Sequence, residues 1–286
     1  MQPHQDPPKD ATPAGGDAMD LLFTGSVPEI YDRYLVPLLF EQYAADLVER
    51  LAELKTGSVL EVACGTGVVT RAMAAALPER VAITATDLNQ PMLDRAASVG
   101  TQRPVRWQAA DVMQLPFDDA AFDAVLCQFG VMFFSDRVGA FTEVARVLRP
   151  GGLFLFNVWD SIEHNEFAEV VSSAVGRLFP DDPPQFLLRT PYGCHDRPAI
   201  QHDLAAAGFV VPANIHELET VSRAASHEVP AVAFCQGTPL RNEIERLDPA
   251  RLHEATEAAA NALRERFGPT NLVAKIRAFI ISATAG

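Results

Sequence analysis

The sequence lacks the features that would place it among membrane, secreted or metal-stapled proteins. No apolar run approaches the roughly 20 residues that a bilayer-spanning helix needs. The first residues carry no basic-then-apolar leader pattern, so a cytoplasmic protein without a membrane span is expected. Four cysteines (Cys64, Cys127, Cys194 and Cys235) stand far apart, with no CxxC pair and no zinc spacing. A disulfide framework and a structural zinc site are therefore not expected, and no metal is assigned. Positive charge is scarce too: 23 Lys and Arg face 37 Asp and Glu, a net charge of −14. A polyanion would be repelled over most of such a surface, so nucleic acid is not an expected partner.

What is present reads as an α/β chain. Residues 1–20 are rich in Pro, Gly and Asp with almost nothing to bury, and are expected to form a disordered tail. From Pro28 a helical pattern sets Leu35, Leu38, Leu39, Tyr43, Leu47 and Leu51 on one face. Five apolar strand segments then alternate with helices: 59–63, 81–87, 105–111, 122–130 and 153–159. Helices are expected over 68–77 and 136–148, with a further one after Asn89 as its cap. Strands separated by helices call for a parallel sheet with right-handed crossovers and both faces covered. Beyond residue 160 the pattern loosens into helices at 165–178, 197–207 and about 240–267. A strand-like FVVPANIHELETV lies between the last two, and NLVAKIRAFIISA closes the chain as another.

The chemistry concentrates after the first strand. A strand, the loop Cys64-Gly65-Thr66-Gly67, a helix, then Asp87 ending the next strand form a nucleoside-binding arrangement. Glycines let the backbone turn sharply and approach a ligand, and a carboxylate at Asp87 can accept from both ribose hydroxyls. Two features argue against a dinucleotide. Thr70 stands where the third glycine of G-x-G-x-x-G would be, and Glu61 aims an acid at the loop, where a pyrophosphate would be repelled. S-adenosylmethionine has no phosphate but carries an ammonium and a sulfonium, which such an acid suits. Asp111, at the end of the third strand, can accept from an adenine amino group; its spacing from the other two acids favours this over a mere turn cap.

The segments VLEVACGTG (59–67), TDLNQPML (86–93), ADVMQLPFDDAAFDAV (110–125) and RVLRPGGLF (146–154) resemble the class I S-adenosylmethionine-dependent methyltransferase family, nearest its ubiquinone/menaquinone-biosynthesis-like branch. The resemblance runs over roughly residues 55–160. It implies a Rossmann-like seven-stranded sheet with an antiparallel last strand, helices on both faces, helical lid insertions, and S-adenosylmethionine as cofactor with S-adenosylhomocysteine as product. By position it assigns Glu61, Ala63, Gly65 and Gly67 to the methionine moiety, and Asp87 to the ribose. Leu88 and Met92 fall against the adenosine, Asp111 and Val112 around the adenine, and Gln128 near the methyl group. Tyr31 and Arg33 fall where an N-terminal lid closes. The expected organisation is tail 1–20, helical lid 21–54, cofactor-binding core 55–160, and substrate insertions with the last core elements over 161–286.

Methyl transfer by in-line displacement mainly needs positioning and exclusion of water. Where the nucleophile holds a proton a base is required. His164, after the fifth strand, is the first candidate, with His195 and Tyr192 next. Phe129, Phe133, Phe134, Phe167, Phe179 and Phe186 suggest a small aromatic or lipophilic acceptor, methylated on O, C or N. A homodimer is compatible with this reading. A nicotinamide-type Rossmann oxidoreductase and a non-catalytic S-adenosylmethionine-binding protein are the alternatives. Nucleic acid methylation is disfavoured by charge and by CQFGVMFF standing where an Asn/Asp-Pro-Pro-Tyr-type motif would be.

Overall fold

The alternation of short apolar runs and amphipathic stretches folds into one mixed sheet, seen in a computed structural model that describes residue 23 and residues 25–286. The expected tail 1–20 lies outside the described residues. Strands β1 (Gly57–Glu61), β2 (Val81–Asp87), β3 (Arg106–Ala109), β4 (Phe122–Gln128) and β5 (Leu148–Trp159) fall on the five anticipated segments. Two longer strands, β6 (Phe209–Ser226) and β7 (Thr270–Ala285), complete the sheet in the order β3-β2-β1-β4-β5-β7-β6. Pairing is parallel from β3 to β5, whereas β7 runs antiparallel to both β5 and β6. The expected seven-stranded sheet with an antiparallel last strand is therefore present. After β1 the chain first builds outward through β2 and β3, then returns to lay β4 on the other side of β1. That reversal opens a crevice at the carboxyl ends of β1 and β4, the place where open α/β sheets take ligands.

The helices are α1 (Val27–Ile30), α2 (Glu41–Glu49), α3 (Val68–Ala76), α4 (Gln90–Val99), α5 (Arg137–Val147), α6 (Glu166–Leu178), α7 (Phe186–Arg189), α8 (Arg197–Ala206), α9 (Glu228–Gln236), α10 (Leu240–Leu247) and α11 (Leu252–Phe267). Capping decides several boundaries. Asp136 accepts the Gly139 amide at 2.9 Å and Asp196 the Ala199 amide at 3.1 Å. Asn89 does occupy the cap position of α4, but its side chain makes no cap bond there. The Asn89 amide is instead held by Asp87 Oδ1, at 2.8 Å. The single long helix expected near 240–267 is two helices. Pro249 biases Asp248 away from helical backbone, and the Asp248 carboxylate accepts the Ala250 amide at 3.0 Å, so the chain restarts as α11.

Between α1 and α2 the backbone is a π-helix, Tyr31–Phe40, with Pro37 inside it. Proline cannot donate to an α-helical ladder, and the wider turn accommodates it. The apolar face anticipated for this stretch is buried throughout, from Leu35 to Leu51. Among the described residues no helix is long and apolar enough to cross a membrane.

The interior behind the site is aromatic. Phe141, Phe154 and Phe156 are fully buried, with Phe141 meeting Phe154 edge to face at 5.4 Å. Removing the Phe141 ring leaves a cavity between α5 and the sheet. Phe141→Ala is expected to lower stability by about 3–5 kcal/mol in denaturant unfolding; a loss within about 0.5 kcal/mol would show that the interior collapses to fill it.

Candidate active site

The loop after β1 and the turn after β4 approach each other so closely that residue choice is constrained. Ala63 adopts φ +51°, and a Cβ at Gly130 would stand 2.6 Å from the Ala63 Cβ, so only glycine fits at 130. Gly65 (φ +55°) turns the chain toward β2, where its amide donates to Asp87 Oδ2 at 2.8 Å. Gly67 (φ +82°) starts α3 and packs against Trp107, which a side chain there would strike at 3.0 Å. Asp87 is buried, with each carboxylate oxygen taking one backbone amide. A carboxylate has room for further donors. Burial pushes its carboxyl upward, against the hydrogen bonds from Asn89 and Gly65 that pull it down.

These elements surround a cleft of about 930 Å³, open solvent at its mouth included. Of the expected site residues, Tyr31, Ala63, Gly65, Asp87, Leu88, Met92, Asp111, Val112 and Gln128 all line it. Asp111 is exposed, and one of its oxygens caps the Met113 amide at 2.9 Å, leaving the other for a ligand. Gln128 donates weakly to the Phe40 carbonyl at 3.4 Å, while its buried Oε1 has no partner. A buried acceptor without a partner is uncommon and marks a place where a ligand can supply the donor. Among the described residues lining the cleft there is no lysine, arginine or histidine.

Four expected residues are placed elsewhere. Gly67 lies behind the loop against Trp107 and Ala96. Glu61 is also behind it, fully buried, its carboxylate accepting the Thr70 hydroxyl. Arg33 is exposed and lies over the Tyr34 ring at 5.2 Å rather than in the cleft. His164 is exposed on a short 3-10 turn, Ile162–His164, and lines neither this cleft nor the chamber beside it. The cause is upstream. Asp160 at the end of β5 pairs with Arg277 of β7 at 2.6 Å, and Asn165 bonds across to the Arg277 backbone, which turns the chain away from the crevice. His195, the second candidate base, is exposed as well, with Nδ1 at 2.8 Å from the Tyr192 carbonyl oxygen.

A second chamber of about 500 Å³ adjoins the cleft, and Phe23, Tyr31, Phe129 and Phe133 line both. Its other walls include Phe40, Trp159, Phe186, Tyr192 and Phe234. Phe129 is held unusually firmly. Its backbone has φ +49°, which costs a bulky residue on the order of 1–3 kcal/mol and persists only where surroundings enforce it. The enforcement comes from fully buried Asn157, whose Oδ1 accepts the Phe129 amide at 2.8 Å, and from Trp159, stacked on the ring at 3.8 Å and 7°. The described ionisable side chains in this chamber are Tyr31 and Tyr192, and burial pushes both hydroxyls upward, so they stay protonated donors.

Residues 60–156, the span from β1 into β5, match the family described as Methyltransferase domain. A demethylmenaquinone methyltransferase of Staphylococcus epidermidis is 32% identical over 136 residues, covering 45% of this chain and 55% of that protein. A malonyl-[acyl-carrier protein] O-methyltransferase of Pseudescherichia vulneris is 36% identical over 154 residues, 54% and 59% of the two chains. Among solved structures, a Haemonchus contortus phosphoethanolamine N-methyltransferase, in complex with phosphomonomethylethanolamine and S-adenosylhomocysteine, superposes with a TM-score of 0.55 at 17% identity, covering 90% of this chain and 57% of that one. The fold is the class I methyltransferase fold. Within it, residues 60–156 match a methyltransferase domain, and the chain spans between half and two thirds of the length of these curated relatives.

Glu61 provides a direct test of the loop's electrostatics. Burial pushes its carboxyl from 4.5 up to about 8, with the Thr70 hydroxyl and Arg71 opposing and Asp87 adding to the rise. Between those values the folded chain keeps a proton that the unfolded chain has released, so folding stability falls as pH rises. Denaturant unfolding between about pH 5 and about pH 8 is expected to show that fall in the parent, and a distinctly shallower one in Glu61→Gln. Equal slopes would mean that Glu61 is ionised in the folded chain.

Proposed function

We propose that this chain binds S-adenosylmethionine in the cleft and transfers its methyl group to a small apolar acceptor held in the aromatic chamber. The observation that carries the reading is the charge of the cleft: a buried carboxylate at Asp87 and a second at Asp111, without a basic side chain among the described lining residues. A pyrophosphate would find no counter-charge there, which disfavours a nicotinamide dinucleotide. A cofactor bearing an ammonium and a sulfonium supplies the missing positive charge, and the unpartnered Gln128 Oε1 can accept from its ammonium.

In this reading Asp87 accepts from the ribose hydroxyls while Leu88 and Met92 cover the adenosine. Asp111 and Val112 frame the adenine, and the backbone at Ala63 and Gly65 follows the methionine chain. The division into lid 21–54, core 55–160 and insertions 161–286 belongs to the same proposal. When bound, the cofactor supplies an electrophilic methyl on a good leaving group. The protein then has to align the acceptor and exclude water, for which ordered contacts can account for about 7–11 kcal/mol of barrier lowering. Phe129, strained in place by Asn157 and Trp159, suits that aligning role, because it stands in the wall that the two cavities share. Tyr31 and Tyr192, protonated, can donate to an oxygen on the acceptor. His164 has no part in this scheme.

Calorimetry separates the possibilities. S-adenosylhomocysteine is expected to bind and NADH not to bind; the reverse would overturn the cofactor reading. Asp87→Ala is expected to weaken S-adenosylhomocysteine by about 1–3 kcal/mol, because charge-assisted bonds to the ligand and the brace on Gly65 are lost together. Unchanged affinity would remove Asp87 from the ribose site. For the acceptor, transfer of labelled methyl to components of a metabolite extract, followed by mass spectrometry, is expected to favour neutral apolar products over charged ones.

A further inference from the structure

The residue next to Tyr31 points away from the cleft and is bound more firmly than its surface position requires. Asp32 Oδ2 accepts two hydrogen bonds from Arg95 of α4, at 3.0 Å from Nε and 2.7 Å from Nη2. Its other oxygen lies 3.4 Å from Nη2 of Arg71 on α3. The same Arg71 donates through Nη1 to the Thr66 carbonyl of the glycine loop, at 2.6 Å. One carboxylate, 11% exposed, thus connects the lid segment to both helices that flank the cleft and, through Arg71, to the loop itself. Nothing in the spacing of PEIYDRYL discloses this, because the partners lie 39 and 63 residues further along the chain.

We propose that Asp32 is a positioning residue that retains the ligand of the cleft: it fastens the lid so that Tyr31 stands across the boundary between the two cavities. This rests on the reading of the cleft as the S-adenosylmethionine site. The mechanical argument is simple. The C-terminal part of the π-helix is anchored by buried Leu35, Leu38 and Leu39, whereas its first turn is held to α3 and α4 by Asp32. A ligand leaving the cleft past Tyr31 requires that first turn to swing out, and the swing breaks the Asp32 pairs. Arg71 and Arg95 are 25% and 36% exposed, so the pairs are screened by solvent and add little to global stability. A bond of that kind can govern opening without governing folding.

The test is the dissociation rate of S-adenosylhomocysteine, followed by stopped-flow displacement on the full chain. Asp32→Ala is expected to release it roughly ten-fold faster, equivalent to about 1.4 kcal/mol of lid closure, with thermal unfolding nearly unchanged. Asp32→Asn, which keeps an acceptor but loses the charge, is expected to fall between parent and alanine variant. Arg95→Ala is expected to accelerate release as well, and Asp32→Ala/Arg95→Ala to add little to either single change. Release from the parent is expected to quicken as salt screens the pairs, and release from Asp32→Ala to be insensitive to salt. A merely structural role would move the unfolding temperature and leave the salt dependence of release alone. If the parent binds S-adenosylhomocysteine and Asp32→Ala releases it at the parent's rate, the clasp is overturned while the cofactor reading stands. If the folded parent does not bind it at all, both fall.

Discussion

The hydrogen bond from the Gly65 amide to the Asp87 carboxylate is the constraint around which the site is arranged. It joins the loop after β1 to the end of β2, beside the crevice that the reversal of strand order creates. With that bond in place, Gly65 must adopt its left-handed turn and Ala63 its own, which brings Ala63 against Gly130 and aligns the β4 turn with the loop. The Phe129 ring then follows from its neighbour. The cleft, its floor and one wall of the aromatic chamber are consequences of a single polar contact at a strand end.

That contact has an electrostatic cost, and the cost is informative. Asp87 and Glu61 are two buried acids on adjacent strands; burial raises both carboxyls, Asp87 adds to the rise at Glu61, and hydrogen bonds oppose it at each. Burying an anion is unfavourable unless something compensates it. Backbone amides compensate Asp87 in part, while burial raises the Glu61 carboxyl toward its neutral form. The site is thus built to be relieved by positive charge, a property opposite to that of phosphate-binding loops, which present amides and cations to an anion.

Much of this was legible in the chain because its signals are local. The strand, glycine pair, helix and terminal acid of residues 59–87 lie close together in sequence, Gln128 ends β4, and Asp111 follows β3 by two residues. What escaped is whatever depends on distant partners. The Asp32 pairs join residues 39 and 63 positions apart, and the aromatic chamber draws Tyr31, Phe129, Trp159, Tyr192 and Phe234 from across the chain. His164 was misplaced for the same reason: its position after β5 is correct, but the Asp160–Arg277 pair that turns it outward lies across the sheet. Glu61 was expected to aim at the loop from its strand position. Pleat alternation and the Thr70 hydroxyl, which motif spacing does not encode, direct its carboxylate behind the loop.

Phe23, Tyr31, Phe129 and Phe133 belong to the walls of both cavities. Two sites that share side chains cannot be filled independently, since each occupant sets the rotamers and room available to the other. Their binding free energies are therefore linked, and the linkage is reciprocal: the factor by which one ligand tightens the hold on the second equals the factor by which the second tightens the hold on the first. Cooperativity in this molecule would need neither a second subunit nor a distant effector site. It would be a property of four aromatic rings standing in a common wall.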